Sequence, residues 1–415
     1  MKIKIKFIMD NNSNNIISIE LAQIKLPDTK ERIMSNSKYV RYGDDNNFNM
    51  FLENLRDNAP LHNAILTSKV EQAFGEGLKL DKETNLTAKL FSAKCNDCEG
   101  INEIYEKVLQ DLILYGGFYL EIIWGMDGKV AEIYHLPFSK IRAGRKDNES
   151  HRIKEYMYCE DWFRVYQIGY TSIPVFDLDN RTGRQIFAYK NYVAGREYYP
   201  LPDYVAGLAS VALEKEIVNW GLSEIRNGFG GSNVISFKNG IPSEEEQQNI
   251  KKRISEQLTG SNNAGKLLVI FSPNSETAPD INAIQSNDAA DKYIQVEKSV
   301  LQNVLSAHRV ISPLLVGIRT ENNGLGNNAN EIETAFQMWN NTVIKPYQNK
   351  ALKVLNLIAM FTPNYDGWKY EATTISPITF TFSESVLSQI LTTNELREKI
   401  GYEPIATAIK ETNEE

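Results

Sequence analysis

The out-and-back path between Pro202 and Ile311 constrains this chain more than any other feature. The run "LPDYVAGLASVALEKEIVNWGLSEIRNGFGG" opens on Pro202 and Asp203, residue types that start helices, and ends on glycines that stop them. Its roughly 25 helical residues would make a rod of about 37 Å at about 1.5 Å per residue. A small α/β insert follows, with strand "NVISF", helix "SEEEQQNIKKRISEQL" and strand "KLLVIF". A Ser243 cap followed by Glu244 to Glu246 places carboxylates at the positive end of that helix dipole. The chain then returns on a second rod, "DAADKYIQVEKSVLQNVLSAHRV", which stops before Pro313.

Beyond the second rod lies "GIRTENNGLGNNANEIE", with three glycines, five asparagines and almost nothing that packs. A third helix follows it, carrying Ile332, Phe336, Trp339 and Val343 at helical spacing as an apolar stripe. Pro346 sits inside this helix, removes one backbone hydrogen bond and predicts a kink near Thr342.

The first 200 residues read as an α+β lobe. Residues 1 to about 48 are polar and asparagine-rich, an extended arm suited to docking on a neighbour. The pattern is helical from Asn49 to Phe74 and is broken by Gly75 and Gly77. "INEIYEKVLQDLILYGG" is a helix stopped by Gly116 and Gly117, and it runs into two apolar strands joined at Asp127-Gly128, a hairpin signal.

Charge excludes one class of function. A formal net charge of -8 cannot supply the Lys and Arg surplus from which tight nucleic-acid binding derives. Cys95, Cys98 and Cys159 are too few for a disulfide framework, so a reducing compartment is expected. The opening "MKIKIKFIMDNN" alternates Lys with apolar residues where a signal peptide needs a continuous apolar core. No apolar run reaches the roughly 20 residues that span a bilayer. The expectation is a soluble protein made in a cytoplasm, with no membrane partner.

Catalytic motifs are weak. "GSNNAGKL" matches the core of a phosphate-binding loop, but Leu267 replaces the hydroxyl that reaches magnesium, and the loop runs from helix to strand. "CNDC" has half of a zinc site's spacing and lacks a second pair; Cys159 with His151 does not complete it. "GFGGSN" follows a helix and is too short for a dinucleotide fingerprint. Asp288 and Asp291 share one helical turn, where acidic residues favour a helix start more often than a metal. His62, His135, His151 and His308 are scattered; His308 lies near a helix end, where a cation is favoured. No cofactor, no metal and no enzymatic activity are expected.

Several stretches then carry a family likeness. "APLHNAILTSKVEQAFGEGLKL", "DLILYGGFYLEIIWGMDGKVAEIYHLPFSKIR", "NGFGGSNVISFKNGIPSEEEQQNI" with "GSNNAGKLLVIF", "SAHRVISPLLVGI", "FQMWNNTVIKPYQNK" and "LTTNELREKIGYEPI" resemble, in the same order, segments of tailed-bacteriophage portal proteins. These are the head-to-tail connectors through which DNA is packaged and ejected. The likeness covers about three quarters of the chain, and its strength lies in the order of six individually weak matches. The richness in Asn, Lys and Ile hints at an AT-rich genome, as in the crAss-like phages.

The resemblance implies an α+β portal-type fold: an arm (1–48), a wing (49–201), a stem helix (202–228), a clip (229–287) and a second stem helix (288–312). A tunnel loop (313–330) follows, then a kinked helix with the rest of the wing (331–405). A short tail or the start of a crown ends the chain (406–415). The family often has a larger helical crown, and the arm has no clear counterpart. The resemblance further implies a ring, usually dodecameric, at one capsid vertex of the virion, assembled in the host cytoplasm. Its partners would be double-stranded genomic DNA, the major capsid protein, the terminase large subunit and a head-tail adaptor protein. Rods whose apolar stripes lack partners within the chain fit such a ring, because a head-to-tail contact that closes on itself gives a cyclic oligomer.

In this reading the DNA-facing residues are Arg319, Thr320, Glu321, Asn322, Asn323, Gly324, Leu325, Gly326, Asn327 and Asn328. Neutral amides keep contacts with passing phosphates shallow, Gly324 and Gly326 let the backbone move, and Arg319 supplies any transient phosphate contact. The clip would meet adaptor and terminase through Asn239, Glu244, Glu245, Lys251, Asn262, Asn263, Asn274 and Glu276. Two other classes compete: a nuclease or nucleotide-dependent enzyme of a mobile element, and a scaffold without a channel.

Overall fold

A computed structural model describes residues 26–35, 37–82, 85–226, 233–237, 243, 245–246, 249, 267–271, 289–318 and 329–375. At the centre lies helix α4 (Ile101–Tyr115), nine of whose residues are buried. Its start is fixed by Glu103, which accepts a hydrogen bond from the Gly100 amide at 3.1 Å. Its end is Gly116 in the left-handed region at φ 85°, where a side chain would also run into the Leu201 carbonyl.

Before α4 come the hairpin β1 (Glu31–Ile33) and β2 (Val40–Tyr42), helices α1 (Phe48–Asn58) and α2 (Pro60–Phe74), strand β3 (Leu78–Leu80) and helix α3 (Leu86–Ala93). The helical stretch from Asn49 to Phe74 is therefore two helices, parted where Pro60 forces Ala59 into extended backbone. Val40 and Tyr42, from the segment read as an arm, are fully buried in this chain's own core. Tyr42 stacks on Tyr199 and its hydroxyl donates to the Pro200 carbonyl.

After α4, β4 (Gly117–Trp124) and β5 (Val130–Leu136) form the hairpin expected from Asp127-Gly128, and β9 (Arg184–Lys190) adds to the other edge of β4. A second antiparallel sheet joins β6 (Ile141–Ala143), β7 (Glu155–Tyr158) and β8 (Thr171–Pro174), with the short helix α5 (Val165–Ile168) between β7 and β8. The sheet is tied to α1 by Arg142, 1% exposed. Its guanidinium donates to Asn46, Asn49, Ser139 and Ile141, every acceptor a neutral oxygen. Replacing Arg142 by alanine strands those acceptors and empties the site, so a loss of about 3 kcal/mol is expected in a urea melt.

The first rod is α6 (Leu208–Arg226) and the second α7 (Ala289–Ala307), each 19 residues long. The two pack together where α6 begins and α7 ends, and there Gly207 meets Ala307 so closely that an added Cβ would overlap the Ala307 methyl. Gly207→Val should wedge the rods apart and lower stability by about 1–3 kcal/mol, read as a shift in unfolding midpoint. Between the rods, β10 (Asn233–Phe237) and β11 (Leu267–Phe271) pair in parallel, matching the two strands read in the insert.

The third helix runs as α8 (Ala329–Trp339), a π-helical turn (Asn340–Ile344) and α9 (Lys345–Ala359), with Pro346 in the first turn of α9. The expected disturbance near Thr342 is thus a π turn, which absorbs the hydrogen bond that Pro346 cannot donate. Phe336, Trp339 and Val343 are buried as the stripe requires. Strand β12 (Tyr370–Ala372) closes the fold against β3. Among the described residues no helix is long and apolar enough to cross a membrane, and no group of three metal-ligating side chains is found.

Candidate channel site and its anchoring junction

The ten residues Arg319 to Asn328 lie outside the described residues, but both ends of this segment are placed. Before it, Pro313–Val316 forms a 3-10 turn closed by Gly317 in the left-handed region at φ 75°. Ile318 N–H donates back to the Pro313 carbonyl at 3.0 Å. Ser68 and Gln72 of α2 both donate to the Leu315 carbonyl, pinning this turn from one side. After the segment, the chain enters α8 at Ala329.

Of the insert residues named above, Glu245 is described and exposed. Asn239, Glu244, Lys251, Asn262, Asn263, Asn274 and Glu276 lie outside the described residues. The Ser243 cap is present: its hydroxyl accepts from the Glu246 amide, while Glu246 accepts from the Ser243 amide at 3.1 Å.

The structure also brings together a polar cluster that the sequence did not announce. It sits where α6 begins, α7 ends and α2 and α9 pass. His62 Nδ1 and His308 Nε2 are 2.9 Å apart, although 246 positions separate them in sequence. Lys69, fully buried, lies 3.3 Å from His308 Nδ1 and 3.8 Å from Asp203 Oδ1. Asp203 Oδ2 accepts from Tyr347 at 2.7 Å and pairs with Arg309 at 2.8 Å. Arg309 adopts φ 57°, a left-handed conformation for a residue with a side chain, immediately after α7. One element farther along, Glu214 of α6 accepts from the Leu61 amide at 2.6 Å and so caps α2, which has no side-chain cap of its own.

Electrostatics follow from this packing. Burial and the Lys69 charge hold His62 down to about 3 and His308 well below the usual imidazole range. His308 is therefore neutral and buried, a correction to its expected place as a favoured cation at a helix end: α7 stops at Ala307, and the imidazole turns inward against Tyr204. Burial also lowers Lys69 to about 8, against the pull of Asp203. Burial opposes ionisation of Asp203, yet Lys69, Tyr347 and Arg309 hold its carboxyl below the usual range. Among the described residues the cluster contains no group of three His, Cys, Asp or Glu side chains placed to hold a metal ion. It fixes α2, α6, α7 and α9 against one another.

Two rods, a small parallel-stranded insert, a long helix interrupted by a π turn and a mixed helix-and-strand lobe make up the subunit. Similar solved architectures are found in gene transfer agent particles. A chain of a native particle's virion aligns with a TM-score of 0.51 at 14% identity, covering 86% of this chain and 94% of that one. A chain of a native particle's neck, computed with C12 symmetry, aligns with a TM-score of 0.50 over 85% of this chain and 94% of that one, again at 14% identity. Among sequences, a probable portal protein of Haemophilus phage HP1 (strain HP1c1) is 22% identical over 289 residues, 69% of this chain and 76% of that protein. An uncharacterized protein of Rickettsia bellii (strain RML369-C) is 24% identical over 305 residues, 72% of this chain and 73% of that protein. The family model for phage portal proteins matches residues 72–401, and the chain belongs to that family.

Proposed function

We propose that copies of this chain close into a ring at one capsid vertex and form the portal channel for genome packaging, retention and ejection. The observation that carries this is the family match over residues 72–401, which runs through both rods, the insert and the kinked helix. The portal family is structural, and force for DNA movement would come from an ATPase in another protein. Twelve copies per ring is the reading that the C12 neck of the gene transfer agent supports. In this reading α6 and α7 are the stem, residues 229–287 the clip that meets terminase and adaptor, and the surrounding α+β lobe the wing that meets the capsid shell.

Residues 319–328 are the part that faces DNA. Two facts support this assignment: the segment joins the end of the second rod to the kinked helix, and its composition of amides and glycines attracts phosphate only feebly. Removing residues 321–328 should leave ring assembly intact and impair packaging or genome retention. Normal packaged-DNA yield from such a variant would refute the assignment while leaving the ring itself in place.

A further inference from the structure

A groove far from the rods carries chemistry that the channel does not use. It lies between the β1–β2 turn and α5, has a volume of about 430 Å³, and is lined by Met34, Lys38, Tyr39, Arg41, Tyr166 and Tyr170 among others. Its floor is aromatic and rigid. Tyr39 packs on Trp162 at 4.7 Å and on Tyr170 at 5.9 Å, and the Arg142 guanidinium backs Trp162 at 5.0 Å. Its rim is apolar yet open to water, with Tyr166 88% exposed and Met34 43% exposed. Tyrosines held by packing, with polar tips free, are the side chains that protein-binding surfaces favour.

Charge selects the occupant. Three acids that flank the groove in sequence are already matched, Asp44 with Arg32, Asp161 with Arg164 and Glu160 with Lys140, and Asp45 accepts from the Asn47 amide. Lys38 and Arg41 have no carboxylate within ion-pair distance among the described residues. Tyr39 itself is 6% exposed and forms the floor. Arg41 is close enough to oppose the rise that burial gives the Tyr39 phenol. Two unmatched cations and the exposed rings of Tyr166 and Tyr170 above an aromatic floor suit carboxylates flanking one bulky apolar side chain. The cavity admits side chains and is far too narrow for a duplex. Among the described residues the β1 ladder pairs with β2, and the Glu31 carboxylate of β1 is taken up by the Tyr198 and Tyr199 amides, so it does not compete for the two cations.

We infer that this groove docks an acidic peptide segment carrying a bulky apolar residue, presented by another protein of the particle. The source of the peptide rests on the portal reading; the groove's preference for it does not.

The test is to pan a random dodecapeptide display library on the purified full-length protein, with counter-selection on the Arg41→Glu/Tyr166→Ala variant. Enrichment of Asp and Glu around Trp, Phe or Leu is expected. The leading peptide should bind about tenfold more weakly to Lys38→Glu, a change at an exposed site, as to Arg41→Glu, by fluorescence anisotropy. Absence of enrichment, enrichment of non-acidic peptides, or equal binding to all variants overturns the inference. So does displacement by duplex DNA at comparable concentration, which would assign the groove to nucleic acid. Protection of Tyr166 from oxidative footprinting on assembly would assign it to a neighbouring copy and equally overturn it. Failure of ring assembly with the peptide preference intact would count against the portal reading alone.

Discussion

Replacing Asp203 by alanine is expected to destabilise the fold by about 3 kcal/mol, because it leaves a buried charge with no counter-ion. Lys69 is wholly enclosed, and Asp203 is the carboxylate that faces it, at 3.8 Å. The same change removes the acceptor for the Tyr347 hydroxyl and the partner of Arg309. The cost belongs to the stranded ammonium, so removing that group as well should recover most of it. Lys69→Met alone is expected to be nearly neutral, and Asp203→Ala/Lys69→Met far milder than Asp203→Ala. Urea denaturation of the four proteins checks this as a double-mutant cycle. Additive effects in the double variant would show that Lys69 does not depend on Asp203.

The second large effect is acid sensitivity. His62 and His308 have folded pKa values below that of a free imidazole, so the unfolded chain takes up protons first as pH falls. Their contribution is fully present above about pH 6.5. It is lost progressively below that, and for His62 the loss continues down to about 3. At pH 5, each histidine that stays neutral costs the native state about 2 kcal/mol relative to pH 7. Lys69 on one side of His308 and Arg309 beyond Asp203 make a further positive charge unwelcome, and Glu214 is occupied in capping α2. Unfolding midpoints measured from pH 7.5 to 5 should fall steeply for the natural chain and more shallowly for His62→Gln/His308→Gln. Parallel slopes would place the acid sensitivity elsewhere.

These two expectations also mark where sequence reading stopped. Local chemistry was legible: paired glycines ended α4, Asp127-Gly128 turned the β4–β5 hairpin, Ser243 capped its helix, and Pro346 located the π turn to within a few residues. Each of those signals is carried by residues adjacent in the chain. The junction is different in kind. His62 and Lys69 come from one helix, Asp203 from the approach to a rod, His308 and Arg309 from the end of another, and Tyr347 from a fourth element. Only the tertiary path of both rods joins them. A lone buried-looking histidine at each of two distant positions gives no pairing signal. A hint was present in Lys69, which shares the buried face of α2 with His62, Ile65 and Leu66. The break at Ala59–Pro60 was also locally encoded, and the helical pattern from Asn49 onward hid it.

The junction gives mechanical meaning to the candidate channel segment. Through Ser68 and Gln72, α2 holds the turn before residue 319, and through Glu214 and Lys69 it holds both rods. The base of the segment is thereby fixed to the same helix that sets the rods in place.

Electron cryo-microscopy of the purified full-length protein bears on all of this most directly. A closed ring with an axial bore, α6 and α7 packed between neighbouring copies and residues 319–328 turned toward the axis is the expected result. Lone subunits, or a ring in which that segment faces away from the bore, would contradict it.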